Sequence, residues 1–364
     1  MGPVLSKAAL MSCRTFHGIM PGRSLWAYHM CLNGLEPSLR RMGLIMPEEQ
    51  FTAEPLPGGV SCDVHLITVG NRHFCVKAAL PKLRVTADWR APAERSHAEV
   101  AWMKLVGGID PDWVPMVLGE DRSHHIFAME YLPPQDHPVW KRELAEGRAD
   151  PAFAAMVGER LARIHAETAG REDVAHDFRN GVQFHALRVD AYLLHTATKH
   201  TDVAPLIRTL ARHLGAAHIA LMQGDVSPKN ILCGPNGPVF LDAETCCYGD
   251  PAFDLAFCLN HLLLKGVWHP EHSSAYLACF SALKQAYFAG AGWESHAGLE
   301  RRTAGLLAAF LLARIDGKSP VEYLTADNDR NFVRATAKTL LKDSVGHLDV
   351  VLERWTEAVS ARQM

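Results

Sequence analysis

Nothing in the 364 residues is apolar for long enough to cross a bilayer. The best run, Ala304–Ala313, is ten residues and suits a buried helix. The first residues lack the long apolar stretch of a signal peptide, so none is expected. Charge of one sign is lacking too. Lys plus Arg number 37 against 40 Asp plus Glu, a formal net charge of −3, which offers nothing to nucleic acid or to a membrane surface. Histidines number 20 but are scattered, with no HExxH and no paired His/Cys spacing, so a structural zinc site is not expected. The 9 cysteines are odd in number and lack framework spacing, and Cys246 and Cys247 are adjacent. They read as reduced thiols of a cytoplasmic protein. Internal repeats and low-complexity tracts are absent. What remains is an ordinary globular composition, 48% hydrophobic and 21% charged, in a chain long enough for two lobes with a shared core.

The chain is organised around Gln223–Glu244, QGDVSPKNILCGPNGPVFLDAE. Short apolar runs, Ala220–Met222, Ile231–Leu232 and Val239–Leu241, alternate with polar turns and read as three strands joined by tight loops. Asp225, Asn230 and Asp242 stand just beyond strand ends. Two carboxylates and an amide held so can bind a divalent cation and orient a hydroxyl for attack on a phosphate. Their order is that of the protein-kinase signature: catalytic Asp, Asn five places on, then the metal-binding Asp of the next loop.

Upstream, residues 1–33 show no sustained periodicity and are expected to be a flexible extension or the result of a start set too early. Residues 34–133 read as a small β-rich lobe with one helix, entered by a short helix from Leu35. Pro57-Gly58-Gly59 with Ser61 forms a glycine turn that can lay N–H groups over phosphates, although it lacks a full GxGxxG. Ser61–Val69 and His73–Ala79 then form a hairpin about Gly70-Asn71. Lys77, inside the second strand, is costly on an inner face unless phosphates and a helix acid pair it; on an edge it would simply face water. Glu99, in the helical run Glu94–Val106, is the preferred acid. Glu94 sits nearer the helix start, where acids are favoured anyway. Strands Pro115–Leu118 and Ile126–Leu132 follow, and Pro133-Pro134 stops the sheet, either at a nucleotide-binding hinge or at a plain linker.

Residues 134–364 read as a helical lobe. Phe153, Val157, Leu161 and Ile164 recur at helical spacing, and His165 on that face reads as packed or capping. About fifty-five residues then precede Asp225, too many for a connector and suited to shaping a substrate cleft. Asp254, in GDPAFDLA, either caps a helix or hydrogen-bonds the catalytic loop. Further helices are expected at Ser273–Gly290, Ala297–Ile315, Asp327–Lys342 and from Leu348, and ARIDGKSPVEYL reads as a loop that either faces the cleft or, the preferred reading, is a solvated turn.

GDVSPKNIL, FLDAE and YGDPAFDLA resemble the family of aminoglycoside phosphotransferases, choline kinases and methylthioribose kinases, over roughly residues 50–345. The resemblance implies an α+β, two-lobed, protein-kinase-like fold, ATP and Mg²⁺ as cofactors, and a small-molecule hydroxyl as acceptor. It implies Asp225 as catalytic base, Asn230 and Asp242 as metal ligands, and Lys77 on the α/β-phosphates, positioned by Glu99. Met129, Glu130 and Leu132 would then form the adenine hinge, with Gly58, Gly59 and Ser61 over the phosphates. Two departures stand out. Gln223 replaces the usual His, and Ser227-Pro228-Lys229 replaces His-Pro-Gly. Lys229 either reaches the γ-phosphate or is merely solvated. Only twelve positions separate Asp242 from Asp254, too few for a protein-kinase activation segment. A sugar-like metabolite or an aminoglycoside-type antibiotic is the expected acceptor. The mixed signs of Arg188 with Asp190, and of Arg314 with Asp316 and Lys318, lean toward a neutral or anionic metabolite. The competing class is a catalytically silent kinase-fold scaffold. No nucleic-acid or membrane partner is expected, and the protein is expected to be a monomer or homodimer.

Overall fold

The structure, a computed structural model, describes residues 34–56, 61–82, 84 and 91–363. Gly58, Gly59 and the 1–33 stretch lie outside the described residues. After a helix α1 over residues 34–41, five strands form one antiparallel sheet: β1 (Thr52–Pro55), β2 (Cys62–Val69), β3 (Arg72–Ala79), β4 (Val117–Asp121) and β5 (Ile126–Glu130). Their spatial order is β1-β2-β3-β5-β4. β2 and β3 are joined by Gly70 and Asn71, and Gly70 at φ 57° supplies the left-handed position that a two-residue hairpin turn needs. Between β3 and β4 runs α2 (Arg95–Ile109). β5 ends at Glu130, ahead of the Pro133-Pro134 stop.

The remainder is mostly helical. α3 (Trp140–Ala145) leads to α4 (Pro151–Thr168), started by Asp150, which accepts the Ala152 N–H at 2.8 Å, with Pro151 in the first turn. α5 (Glu172–Asp177) and α6 (Gly181–Phe184) follow. The chain continues as a π-helix over His185–Leu194 and ends that run in α7 (His195–Lys199), before α8 (Ala204–Ala216). Two small antiparallel ribbons come next: β6 (Ala220–Met222) with β9 (Cys247–Gly249), and β7 (Ile231–Gly234) with β8 (Gly237–Phe240). β6, β7 and β8 lie where the apolar runs of the sequence placed strands; β9 was not expected. α9 (Ala252–Trp268) is buried nearly all round, as its apolar composition requires. α10 (Ser273–Gly290), α11 (His296–Asp316), α12 (Asp327–Lys342) and α13 (Leu348–Gln363) complete the chain. No helix among the described residues is long and apolar enough to cross a membrane.

Two apolar clusters result. A small one, with Leu35, Leu39, Ile67, Phe74 and Ala128, sits between α1 and one face of the sheet. The large one takes in α2, the ribbons and the helical lobe together. Trp102 of α2, fully buried, meets Phe240 of β8 edge-on at 6.5 Å. This contact sets α2, and therefore Glu99, against the ribbon that carries Asp242. We expect Trp102→Ala to destabilise the protein by about 3–5 kcal/mol in denaturant unfolding, the cost of an aromatic-sized cavity, with an unchanged midpoint as the contrary result.

Candidate active site

β3 is flanked by β2 and β5, so Lys77 sits in the middle of the sheet and not on an edge. It is 6% exposed. Its ammonium donates to Glu99 Oε1 of α2 at 2.8 Å and to Asp242 Oδ1, just past β8, at 2.5 Å. Burial acts to lower the Lys77 pKa, but Asp242 leads the neighbours that outweigh it, and the net shift is upward. Burial drives Glu99 above the ordinary carboxylate range despite Lys77. It pulls Asp242 the same way, yet Lys77, Lys229 and Arg188 together hold Asp242 low. Asp242 is therefore the carboxylate that carries the charge opposite Lys77. Its backbone adopts the left-handed region, φ 62°, a position a non-glycine residue holds only where its surroundings fix it.

Part of that fixing comes from Gln223. Its Nε2 donates to the carbonyls of Leu241 at 2.7 Å and Asp242 at 3.2 Å, while its Oε1 accepts the Asp225 N–H at 2.6 Å. One amide thus ties both acidic loops, using a donor and an acceptor that do not depend on protonation, as a histidine ring in this place would. Asp254, in the first turn of α9 and fully buried, accepts the N–H groups of Gln223 at 2.7 Å and Gly224 at 2.9 Å. It serves the catalytic loop and does not cap its own helix. His165 packs behind it, 3.4 Å from Asp254 and 2.8 Å from the Tyr287 hydroxyl. Gly224 has φ 83°, and a Cβ there would lie 2.6 Å from the Thr245 carbonyl, so only glycine fits.

Asp225 is 4% exposed. Asn230 Nδ2 at 2.9 Å, Lys229 Nζ at 3.0 Å and an Arg188 guanidinium nitrogen at 3.2 Å all meet the same oxygen, Oδ2. Among the described residues no partner meets Oδ1. Lys229 is about half exposed, its side chain at 51%, but it is ion-paired and so not merely solvated. Asn230 also donates to the Asp225 carbonyl at 3.1 Å, which leaves its amide oxygen as the end able to face a cation. Together with Asp242 this is a donor set of hard oxygens, suited to Mg²⁺ or Ca²⁺. Cys62 and Glu244 bring further ligand atoms within 4.8 Å of Asp242. Burial pushes the Cys62 thiol up to about 12.

The charges of mixed sign noted in the sequence find these partners. Asp190 takes Lys318, while Arg188, from the π-helix, reaches Asp225 and donates to the Gly224 carbonyl at 2.7 Å. Asp316 is held by Arg334 and His200. Glu130 cannot offer its N–H, which donates to the Met116 carbonyl at 2.9 Å. Ser61 is buried, and its carbonyl accepts from Arg95 and from the Leu80 N–H, which leaves the expectation for its N–H untouched. Met129 is half-buried on β5, and Leu132 lies two residues past its end. The loop after α11 is no solvated turn, since Glu322 and Tyr323 line a pocket with Pro228 and Lys229. Sequence reasoning also missed Arg95. Fully buried at the start of α2, it donates to Glu244 Oε2 at 2.9 Å and to the Leu80 carbonyl at 2.8 Å. An arginine in a helix's first turn, against the dipole, was the available signal.

The profile of the phosphotransferase enzyme family (APH) matches residues 52–299, a span that takes in Lys77, Glu99 and the whole block from Gln223 to Asp254. The chain belongs to this family. A methylthioribose kinase of Pectobacterium atrosepticum is 26% identical over 266 residues, covering 64% of this chain and 66% of the relative. The match thus spans just under two thirds of that protein. Among solved structures, a choline/ethanolamine kinase family protein from Mesorhizobium loti gives a TM-score of 0.50 at 15% identity, covering 89% of this chain and 98% of that one. An amicoumacin kinase in complex with AMP-PNP, Ca²⁺ and Ami gives 0.52 at 12% identity, with 88% and 98% covered. Likeness at these identities is one of fold, the two-lobed protein-kinase-like fold of family phosphotransferases.

Removing the Asp254 carboxylate strands two buried N–H groups at the catalytic loop. We expect Asp254→Ala to cost about 3 kcal/mol in denaturant unfolding and Asp254→Asn, which keeps one acceptor, roughly half of that. Equal losses for the two variants would contradict the clamp.

Proposed function

We propose that this member of the family transfers the γ-phosphate of ATP to a hydroxyl of a small molecule, with Mg²⁺, in the cleft between residues 34–133 and 134–364. The observation that carries the reading is the geometry of Asp225. Three donors hold its Oδ2 and leave Oδ1 open beside the hard donors Asn230 and Asp242. Oδ1 would accept the hydrogen bond of the acceptor hydroxyl and align it in line with the γ-phosphate, the positioning on which phosphoryl transfer depends. Asn230 and Asp242 would hold Mg²⁺. The ion supplies neutralisation of charge on the phosphate oxygens. Lys77 would contact the α/β-phosphates, Glu99 would position it, and Lys229 would meet the γ-phosphate.

Adenine would lie against Met129, with Leu132 offering backbone groups and Glu130 its carbonyl alone. Gly58, Gly59 and Ser61 would cover the phosphates. The acceptor is a sugar-like metabolite or an aminoglycoside-type antibiotic on the family reading. The free thiols of the described cysteines support a cytoplasmic protein, and we place it there as a monomer or homodimer. A silent scaffold would have no use for a buried lysine–carboxylate pair beside an open catalytic oxygen.

Asp225→Asn should lower kcat for ADP release by ~10²–10⁴-fold while nucleotide affinity, read by calorimetry, stays within about threefold. Chelation of the divalent ion should stop turnover, and Mg²⁺ should restore it. Turnover that survives Asp225→Asn would remove Asp225 from the mechanism.

A further inference from the structure

A small pocket opens against the loop that carries Asp225, with Pro228 and Lys229 forming one wall. Lys229, which lines it, is 3.0 Å from Asp225 Oδ2, so the pocket lies next to the carboxylate read as serving the acceptor hydroxyl. Its other walls come from α3, α9, α11 and the loop after α11. Four cationic side chains face it, Lys141, Lys229, Lys265 and Arg314, against one acid, Glu322. Glu322 is taken by Lys141 and Asp225 by Lys229. No carboxylate remains for Lys265 or Arg314.

Both are buried. Lys265 is 1% exposed and its ammonium finds no hydrogen-bond partner, resting only over the rings of Trp268 at 5.1 Å and Tyr323 at 4.9 Å. Arg314, 8% exposed, lies over Tyr192 at 5.6 Å and donates to the Ser319 carbonyl, but its Nε has no partner. His261 Nε2 and the Tyr323 hydroxyl, on the same walls, are unpartnered as well. Unpaired buried polar groups of this kind are rare because each forfeits its hydration without replacement. Here four of them converge on one space, and two are cations. Burial, then repulsion from Lys141, pulls the Lys265 pKa down to about 8, with only Glu322 opposing. A chain keeps such an arrangement where something else supplies the counter-charge.

We propose that this pocket binds an anionic group of the acceptor, a carboxylate or a phosphate, through Lys265, Arg314 and the Tyr323 hydroxyl, so that the acceptor is a small hydroxy acid or a phosphorylated polyol. The proposal rests on the reading of Asp225 as the group that serves the acceptor hydroxyl. It narrows that reading, because the walls repel cationic acceptors.

The test is a panel read by ADP release with Mg²⁺ and saturating ATP. D-Glycerate and D-gluconate stand for the carboxylate arm, D-ribose 5-phosphate for the phosphate arm, and ribitol, choline and kanamycin are the neutral and cationic comparators. Acids should exceed the comparators in kcat/KM by about tenfold or more, and the two arms identify the anion. Lys265→Met should raise the KM for the preferred acid about tenfold or more, leave the KM for ATP unchanged, and raise Tm, because an unpaired buried ammonium is gone. A purely structural lysine would instead lower Tm on replacement and leave acceptor preference alone. Lys141→Ala, on the exposed rim, tests the same field without risk to the fold and should give a smaller rise. Preference for ribitol, choline or kanamycin would overturn the proposal.

The same acids, and inorganic phosphate, are also to be tested by thermal shift on the AMP-PNP–Mg²⁺ complex. Stabilisation that Lys265→Met abolishes, without any turnover, would uphold the anion site and count against the kinase reading. Turnover without such stabilisation would do the reverse.

Discussion

A buried ammonium needs negative charge within reach, and in this protein that requirement organises the site. Lys77 is placed by the central strand of the sheet, and its two carboxylates come from elsewhere: Glu99 from α2 and Asp242 from the end of a ribbon in the helical lobe. If either partner moved away, the lysine would be stranded in a low-dielectric environment. Sheet, helix and ribbon are therefore held in one arrangement by a charge triad, and the apolar contact of Trp102 with Phe240 keeps α2 at the distance the triad needs. Both carboxylates accept from the ammonium, and the nearby cations favour the charged form of Asp242 while burial works against that of Glu99.

Around this triad the catalytic loop is fixed by polar contacts more than by packing. Asp254 holds the loop backbone from below, Gln223 links it to Asp242, and Arg188 and Thr245 hold the Gly224 carbonyl. The buried side chains named in it are satisfied. The neighbouring pocket differs: Lys141, Lys229 and Glu322 are ion-paired there, but the Lys265 ammonium, the Arg314 Nε, the His261 Nε2 and the Tyr323 hydroxyl have no partner.

Much of this could be read from the residues in order. The strand–loop–strand alternation around Gln223–Glu244, the hairpin carrying Lys77, the choice of Glu99 over Glu94, and the long C-terminal helices are local patterns, and hydrophobic periodicity reports them directly. For Asp254 the pattern GDPAFDLA left helix capping and the catalytic loop both open, and the N–H groups of Gln223 and Gly224 decide for the loop. What escaped were pairings between segments far apart in sequence. Arg188 was noted only for its charge, beside Asp190, whereas on the π-helix it reaches Asp225, 37 positions later. Arg95 with Glu244, and the pocket walls of α9 and α11, join residues over still longer separations. The loop after α11 looked solvated because its Gly, Ser and Pro composition records turn chemistry and not what the turn faces.

The central claim is that Lys77, Asn230 and Asp242 form a metal–nucleotide site beside an open Asp225 oxygen. A crystal structure with AMP-PNP and Mn²⁺, with the ion located by its anomalous signal, tests it most directly. The account predicts the ion on Asn230 and Asp242, with the Lys77 ammonium on the nucleotide phosphates and Asp225 Oδ1 facing the γ-phosphate. An ion bound elsewhere, or Lys77 still closed on Asp242 with nucleotide present, would contradict it.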